Sequence, residues 1–347
     1  MKFKITIASI LISISICAQQ PYYDDVNLSL TGEALFQELQ NKIEVASATF
    51  TYEMAREAIK IIDEDPQNND HVLLVYGYDD NDNNCTTDRS RDKDDFGGLS
   101  CEWNREHVFA RGNANPVMGD VNNSTTGIGA DPHNIRSSDQ QMNNNKGNKK
   151  FGNGNGNAGN VGSGNWYPGD EWKGDIARMI MYMYVRYGDR CLPNLQGEGP
   201  LQGTTQMLEM FLQWNAEDPV NSYEDQRNPY LVNVYGNRNP FIDNPYLATL
   251  IWGGPAADDR WNIFSIKDQY ETTITIYPNP TEGYINISGT SRINEVFIYN
   301  QLGVLVDSKK INDQETLMNL DHLSNGIYFL KLVTNTEHFN QKIIIQK

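Results

Sequence analysis

The sequence predicts an α+β protein in two parts: a mainly helical domain around a short strand–strand–helix unit, then a small all-β sandwich. Three observations carry this. Apolar residues recur at helical spacing early in the chain and again over 174–187. Between those stretches lie two strand-like segments, Trp103–Arg111 and Asp131–Asp139, the second running into an Asn- and Lys-rich segment that can start a helix. From about Thr272 the chain changes to short runs of alternating β-branched and polar residues, separated by turn residues.

Taken in order, Lys2 and Lys4 precede an apolar run, Ile5 to Cys17, that ends at Ala18. This reads as a secretory signal peptide over 1–18. The run falls short of the ~20 residues a bilayer span needs, so the mature chain is expected to be exported without an integral membrane segment. The first domain is expected over 19–264. Leu35, Leu39 and Ile43, then Met54, Ala58 and Ile61, mark two helices between 29 and 64. Val72–Tyr76 reads as a short apolar strand. In the polar loop 79–98, Asp79, Asp80 and Asp82 lack EF-hand spacing and read as solvated turn residues. Cys85 and Cys101 flank that loop; a disulfide pinning it and free thiols are both open readings. Cys191 reads as a buried small apolar residue.

The Gly/Asn tract Gly152–Asn165 lacks the Lys and Ser/Thr of a phosphate loop and reads as a mobile loop. The segment Gly174–Tyr187, with IARMIMYMYVRY inside it, must lie in a core. Further helices are expected at 204–215 and 222–235, the second opening on a capping signature at Ser222. A linker, 265–274, leads to the β tail, 275–347.

With 28 Lys plus Arg against 45 Asp plus Glu in 347 residues, the formal charge is −17. That excludes a basic binder held on phosphate by its overall charge, and any phosphate chemistry requires a local cationic site. One exists. Between His133 and Phe151 four Lys or Arg stand against a single Asp.

The chemistry concentrates there. Glu106 and His107 sit at the heart of the first strand, and a hairpin packed on a helix can bring Asn143 to the same point. Cleaving a phosphodiester needs a base for the attacking water, and neutral His suits that near neutral pH. It needs a hard cation, which oxygen ligands such as Glu106 and an Asn amide carbonyl suit. It also needs cationic groups on phosphate, and Arg105, Arg111, Arg136, Lys146, Lys149 and Lys150 surround the strands. Against this stands a plainer reading: a strand histidine is more often structural than catalytic. Adjacent strand residues also point to opposite faces, so a distorted strand or a bulge would be needed for Glu106 and His107 to serve one site. His133 and Asn134 read as braces of the hairpin.

The segments WNREHVFARG and ADPHNIRSSDQQMNNNKGNKKFG resemble the endonuclease I family, secreted non-specific nucleases with a ββα-metal (His-Me) finger. The likeness extends to GDIARMIMYMYVRYG and NVYGNRNPFIDNPYLATLIW, covering roughly residues 22 to 253. It implies His107 as general base, with Glu106 and Asn143 as ligands of a single Mg²⁺, for which Mn²⁺ and Ca²⁺ are substitutes. It also implies an arginine on the phosphate, Arg111 first and Arg136 second. The implied activity is endonucleolytic hydrolysis of DNA, and RNA as well, through backbone contacts, leaving 5′-phosphates. The alternative is an extracellular nucleic-acid-binding module without catalysis. The tail, with IYPNPTEGYINI, EVFIYNQLGVLV and NGIYFLKLV, resembles the C-terminal sorting domain of type IX (Por) secretion cargo. That implies the type IX machinery as a partner, and a secreted or outer-surface product. A monomer is expected.

Overall fold

The computed structural model describes residues 20–263, 274–334 and 338–347. The expected signal peptide and all but the last residue of the expected linker lie outside the described residues. The chain divides into two compact units, one on each side of residue 264.

In the first unit, α1 (Gly32–Ile43) buries Leu35, Phe36, Leu39 and Ile43. Helix α2 (Tyr52–Ile62) opens with the Thr51 hydroxyl accepting from the Met54 amide at 3.1 Å, a side-chain cap. Its buried face is Ala55, Ala58, Ile59 and Ile62. Met54 and Ile61, which the periodicity points inward, are exposed. Ala58 belongs to both stripes, and the one carrying Ile59 and Ile62 is the one that packs.

Strands β1 (Glu64–Asp65), β2 (Asn68–Leu73) and β3 (Ser90–Asp92) form an antiparallel sheet. The apolar run at 72–76 therefore only ends a strand. Beyond Leu73 the chain stays buried but irregular, with the Leu74 and Val75 amides donating to the Arg89 and Ser137 carbonyls. Cys85 and Cys101 are joined as a disulfide, and Cys191 is free and buried. In the loop between β2 and β3, the Asp79, Asp80 and Asp82 carboxylates accept from backbone amides of the same stretch.

Strand β4 (Trp103–His107) pairs antiparallel with β5 (Ile135–Asp139), Glu106 facing Arg136 and His107 facing Ile135. Both are shorter than the sequence implies. After His107 the chain leaves the sheet, and before Ile135 a 3₁₀ turn, Pro132–Asn134, is capped by Asp131. Helix α3 (Gln140–Lys146) follows β5 without a loop, because Asp139 accepts from the Gln141 and Met142 amides at 2.8 and 2.9 Å. It stops at Gly147, whose φ of 49° is one that an L side chain strains to adopt. The Gly/Asn tract is not all loop: its end forms a hairpin of β6 (Gly159–Val161) and β7 (Asn165–Tyr167).

Helix α4 (Lys173–Tyr187) is buried on every side from Gly174 to Met183, as its apolar sequence requires. Around it lie α5 (Pro193–Gln196), α6 (Glu209–Glu217), α7 (Ser222–Asp225), α8 (Arg227–Val234), α9 (Pro240–Asp243) and α10 (Tyr246–Trp252). The single helix expected at 222–235 is two. Pro229 has no amide hydrogen to continue the preceding turn, so the chain breaks at Gln226. The cap is Asn221, one residue before the expected Ser222. A second apolar cluster joins α2, α8 and the hairpin through Ile59, Ile62, Trp103, Ile135 and Leu231. It fixes the hairpin's position.

The second unit contains β8 (Ile274–Tyr277), β9 (Tyr284–Asn300), β10 (Leu305–Asn319), β11 (Gly326–Thr334) and β12 (His338–Ile345). They form one five-stranded sheet, not the two of a sandwich. The long β9 pairs along one edge with β10 and along the other with β8 and then β11. A bridge from Thr281 to Ile345 brings β12 against the start of the unit, in a barrel-like closure around Ile287, Ile298, Leu330 and Ile343. No helix among the described residues is long and apolar enough to cross a membrane.

Candidate active site

A solvent-open recess of about 510 Å³ lies along β4 and is lined by Tyr52, Arg105, Glu106, His107, Arg111 and Asn143, among others. The pairing of β4 with β5 is regular, so no bulge brings Glu106 and His107 together. Among the strands β4 pairs with β5 alone, apart from an isolated bridge from Trp103 at its start to Phe96, and Arg105, Glu106 and His107 all border the recess.

His107 is buried. Its Nε2 lies 2.8 Å from the Gly129 carbonyl oxygen, which can only accept, so in the neutral ring the hydrogen is on Nε2 and the lone pair on Nδ1. Nδ1 has no protein partner among the described residues. The ring stacks on Tyr52, centroids 5.4 Å apart and planes 21° from parallel. Burial lowers its pKa to about 4, more than the Gly129 contact raises it. A Cβ at position 129 would stand 2.8 Å from Val121 Cγ1, so a side chain there would displace Val121.

Glu106 is held from beneath. Tyr76 donates its hydroxyl hydrogen to Oε1 at 3.0 Å, and the Lys146 ammonium lies 3.0 Å from the same oxygen. Desolvation raises the Glu106 pKa, opposed by Lys146. Oε2 is left without a protein hydrogen bond among the described residues. Asn143 donates from Nδ2 to Asn104 Oδ1 at 2.7 Å and to the Arg105 carbonyl at 3.4 Å, which orients its own Oδ1 away from them. One carboxylate oxygen and one amide oxygen are thus available at one recess. That hard donor pair suits Mg²⁺, which commonly keeps several waters and takes few protein ligands.

Arg111 lines the recess, its guanidinium hydrogen-bonded to the Gly119 carbonyl and 3.7 Å from the exposed Asp120. Four of the expected phosphate groups are engaged elsewhere. Arg136 is 1% exposed, paired with Asp63 at 3.0 Å and Asp175 at 2.8 Å, and serves the core instead of substrate. Lys146 is buried against Glu106, while Lys149 and Lys150 are tied to the Asn145 and Asn194 carbonyls. Net charge along the sequence located the cationic segment but not which ammonium groups face solvent. Asn134 braces the hairpin, bonding the Phe109 amide and carbonyl at 2.7 and 3.1 Å. Tyr52, Tyr76 and Gly129 carried no sequence signal, since only the tertiary fold brings them to the motif.

His133 is buried with its Nε2 3.3 Å from the Asn237 carbonyl, and burial lowers its pKa to about 3. A folded-state pKa below the ordinary value of about 6.5 means the unfolded chain binds the proton first. Stability is therefore full above about pH 6.5 and falls by about 1.4 kcal/mol per pH unit as acid is added, until the folded pKa is reached. Urea unfolding followed by tryptophan fluorescence at pH 7 and pH 5 is expected to give His133→Asn a clearly smaller acid loss than wild type. All six tryptophans belong to the first unit, so the signal reports that unit alone.

A recess that offers solvent a neutral base beside guanidinium groups fits a polyanion that must be held by its backbone and cut. The class is that of hydrolytic nucleases. Residues 31–246 match the model of the Endonuclease I family, and the chain belongs to that family. It is 38% identical over 246 residues to an extracellular ribonuclease of Bacillus subtilis (strain 168), covering 67% of this chain and 78% of that protein. A Bacillus amyloliquefaciens extracellular ribonuclease is 37% identical over 248 residues, with the same shares covered. A periplasmic deoxyribonuclease of Aeromonas hydrophila is 28% identical over 150 residues, 42% of this chain and 56% of that one. Residues 275–346 match the secretion system C-terminal sorting domain, and the protein is secreted.

Proposed function

We propose that the protein is a metal-dependent, non-specific endonuclease cutting both DNA and RNA to 5′-phosphate products. The observation that carries this is His107, whose one bonded nitrogen leaves the other as a free proton acceptor on an open recess. Water held there loses its proton to Nδ1 as it attacks phosphorus. An anionic phosphate close by raises the imidazole pKa from its depressed value, so the proton is taken when substrate is bound. Glu106 Oε2 and Asn143 Oδ1 would hold Mg²⁺, with Mn²⁺ or Ca²⁺ as substitutes, which when bound neutralises charge on the scissile phosphate and the leaving 3′ oxygen. Tyr76 and Lys146 keep the Glu106 carboxylate turned toward the recess. Arg111 holds the phosphate once Asp120, exposed and 3.7 Å away, gives way. The split between relatives named for RNA and for DNA supports a site that grips backbone and not bases. The tail engages the type IX secretion machinery.

Purified protein is expected to nick plasmid and degrade RNA with Mg²⁺ and to stop on addition of EDTA. Glu106→Gln is expected to lose at least the ~100-fold in metal response that disturbing a metal site costs. Full activity of that variant at limiting Mg²⁺ would remove Glu106 as a ligand.

A further inference from the structure

We infer that Arg105 grips a second phosphate, the neighbour of the one being cut, and so makes the site read two backbone linkages at once. This rests on the nuclease reading of the recess. Arg105 and His107 are two residues apart on the regular strand β4, so they share a face and stand about 6–7 Å apart along it. That is the order of one phosphate-to-phosphate step of an extended nucleic-acid strand. Both side chains pack on the same ring: the Arg105 guanidinium lies 3.5 Å from the Tyr52 centroid, and His107 stacks on that ring. Arg105 Nη1 also donates to the Tyr52 carbonyl at 2.5 Å. The guanidinium is therefore fixed in the frame of the base.

Its remaining donors are unused. Among the described residues Nε and Nη2 make no protein hydrogen bond, and no carboxylate pairs with Arg105. Glu53, nearby on α2, is paired with Arg56 at 3.3 Å. The other arginine on the recess, Arg111, already has Asp120. A rigid guanidinium with free donors and no counter-ion, lining an open recess, is an anion site. The anion set one step along the strand from the base is the adjoining phosphodiester.

The test uses substrates with a single cleavable bond. Full-length protein is given a dinucleoside monophosphate, and the same molecule carrying a terminal phosphate at its 5′ end or at its 3′ end. For wild type, kcat/KM is expected to be about tenfold higher with the terminal phosphate on one side, the worth of one charge-assisted contact. In Arg105→Ala that ratio falls to about 1, and Arg105→Lys retains part of it. A ratio near 1 in wild type, or an undiminished ratio in Arg105→Ala, overturns the proposal. A purely structural role would lower both rates and leave the ratio. If His107→Ala cuts at the wild-type rate, the nuclease site itself is wrongly placed, an outcome separate from the Arg105 ratio.

Discussion

His107→Ala lowers kcat on plasmid DNA and on RNA by about a thousandfold, with KM changed only a few-fold. The size follows from the role: a positioned general base contributes roughly 10²- to 10⁴-fold, and no second histidine is among the described residues lining the recess. The direction of the effect on binding follows from the geometry. Arg111 and Arg105, the guanidinium groups proposed to meet phosphate, line the recess and survive the change. Loss of the stack on Tyr52 costs about 1 kcal/mol, well short of the total stability of a folded unit. Circular dichroism and the unfolding midpoint therefore remain near wild type. Because burial lowers the imidazole pKa to about 4, the ring of the free protein is neutral near pH 7. A variant as active as wild type, measured on Mg²⁺-loaded protein, would show that the proton goes elsewhere.

What the sequence disclosed depended on how local each feature is. Helix α4 was legible because apolar residues on every side admit one environment. The order strand, strand, helix was legible because Asp139 and Gly147 punctuate it within a single stretch. The break at Pro229 was equally local, and the periodicity of the flanking residues outweighed it. The closure of the tail was not legible, because alternation gives the faces of a strand and not its partners. The same holds at the site. Glu106, His107 and Asn143 lie in two short motifs, and the fold sets them around one recess. The groups that orient them come from afar: Gly129 lies 22 residues from His107, and Tyr76 lies 30 from Glu106. The buried pairing of Arg136 and Lys146 was not legible for a related reason, since a positive charge in a sequence does not say whether it faces water or a buried carboxylate.

That difference makes Arg136→Ala the second large expected effect, and it falls on stability. Arg136 joins Asp63, just beyond α2, to Asp175 in the first turn of α4. Asp63 also pairs with Arg227 and accepts from the Ser137 amide at 2.8 Å, while Asp175 lies 3.4 Å from Arg178, which holds Glu224. Removing the central guanidinium leaves two buried carboxylates short of a partner in a water-free core. Breaking such a pair typically costs about 3–5 kcal/mol. In a unit of this size that lowers the thermal midpoint by about 10 °C. Arg136→Lys keeps the charge but cannot bridge both carboxylates, and is expected to fall between. Below its midpoint, Arg136→Ala should cut nucleic acid within about threefold of wild type per folded molecule, because the side chain is 1% exposed and does not border the recess. Calorimetry and single-turnover kinetics on the same preparation separate the two roles. An unchanged midpoint with a hundredfold loss of kcat would return Arg136 to the phosphate, and would mean that the buried ion pairs do not hold β5 to the helices.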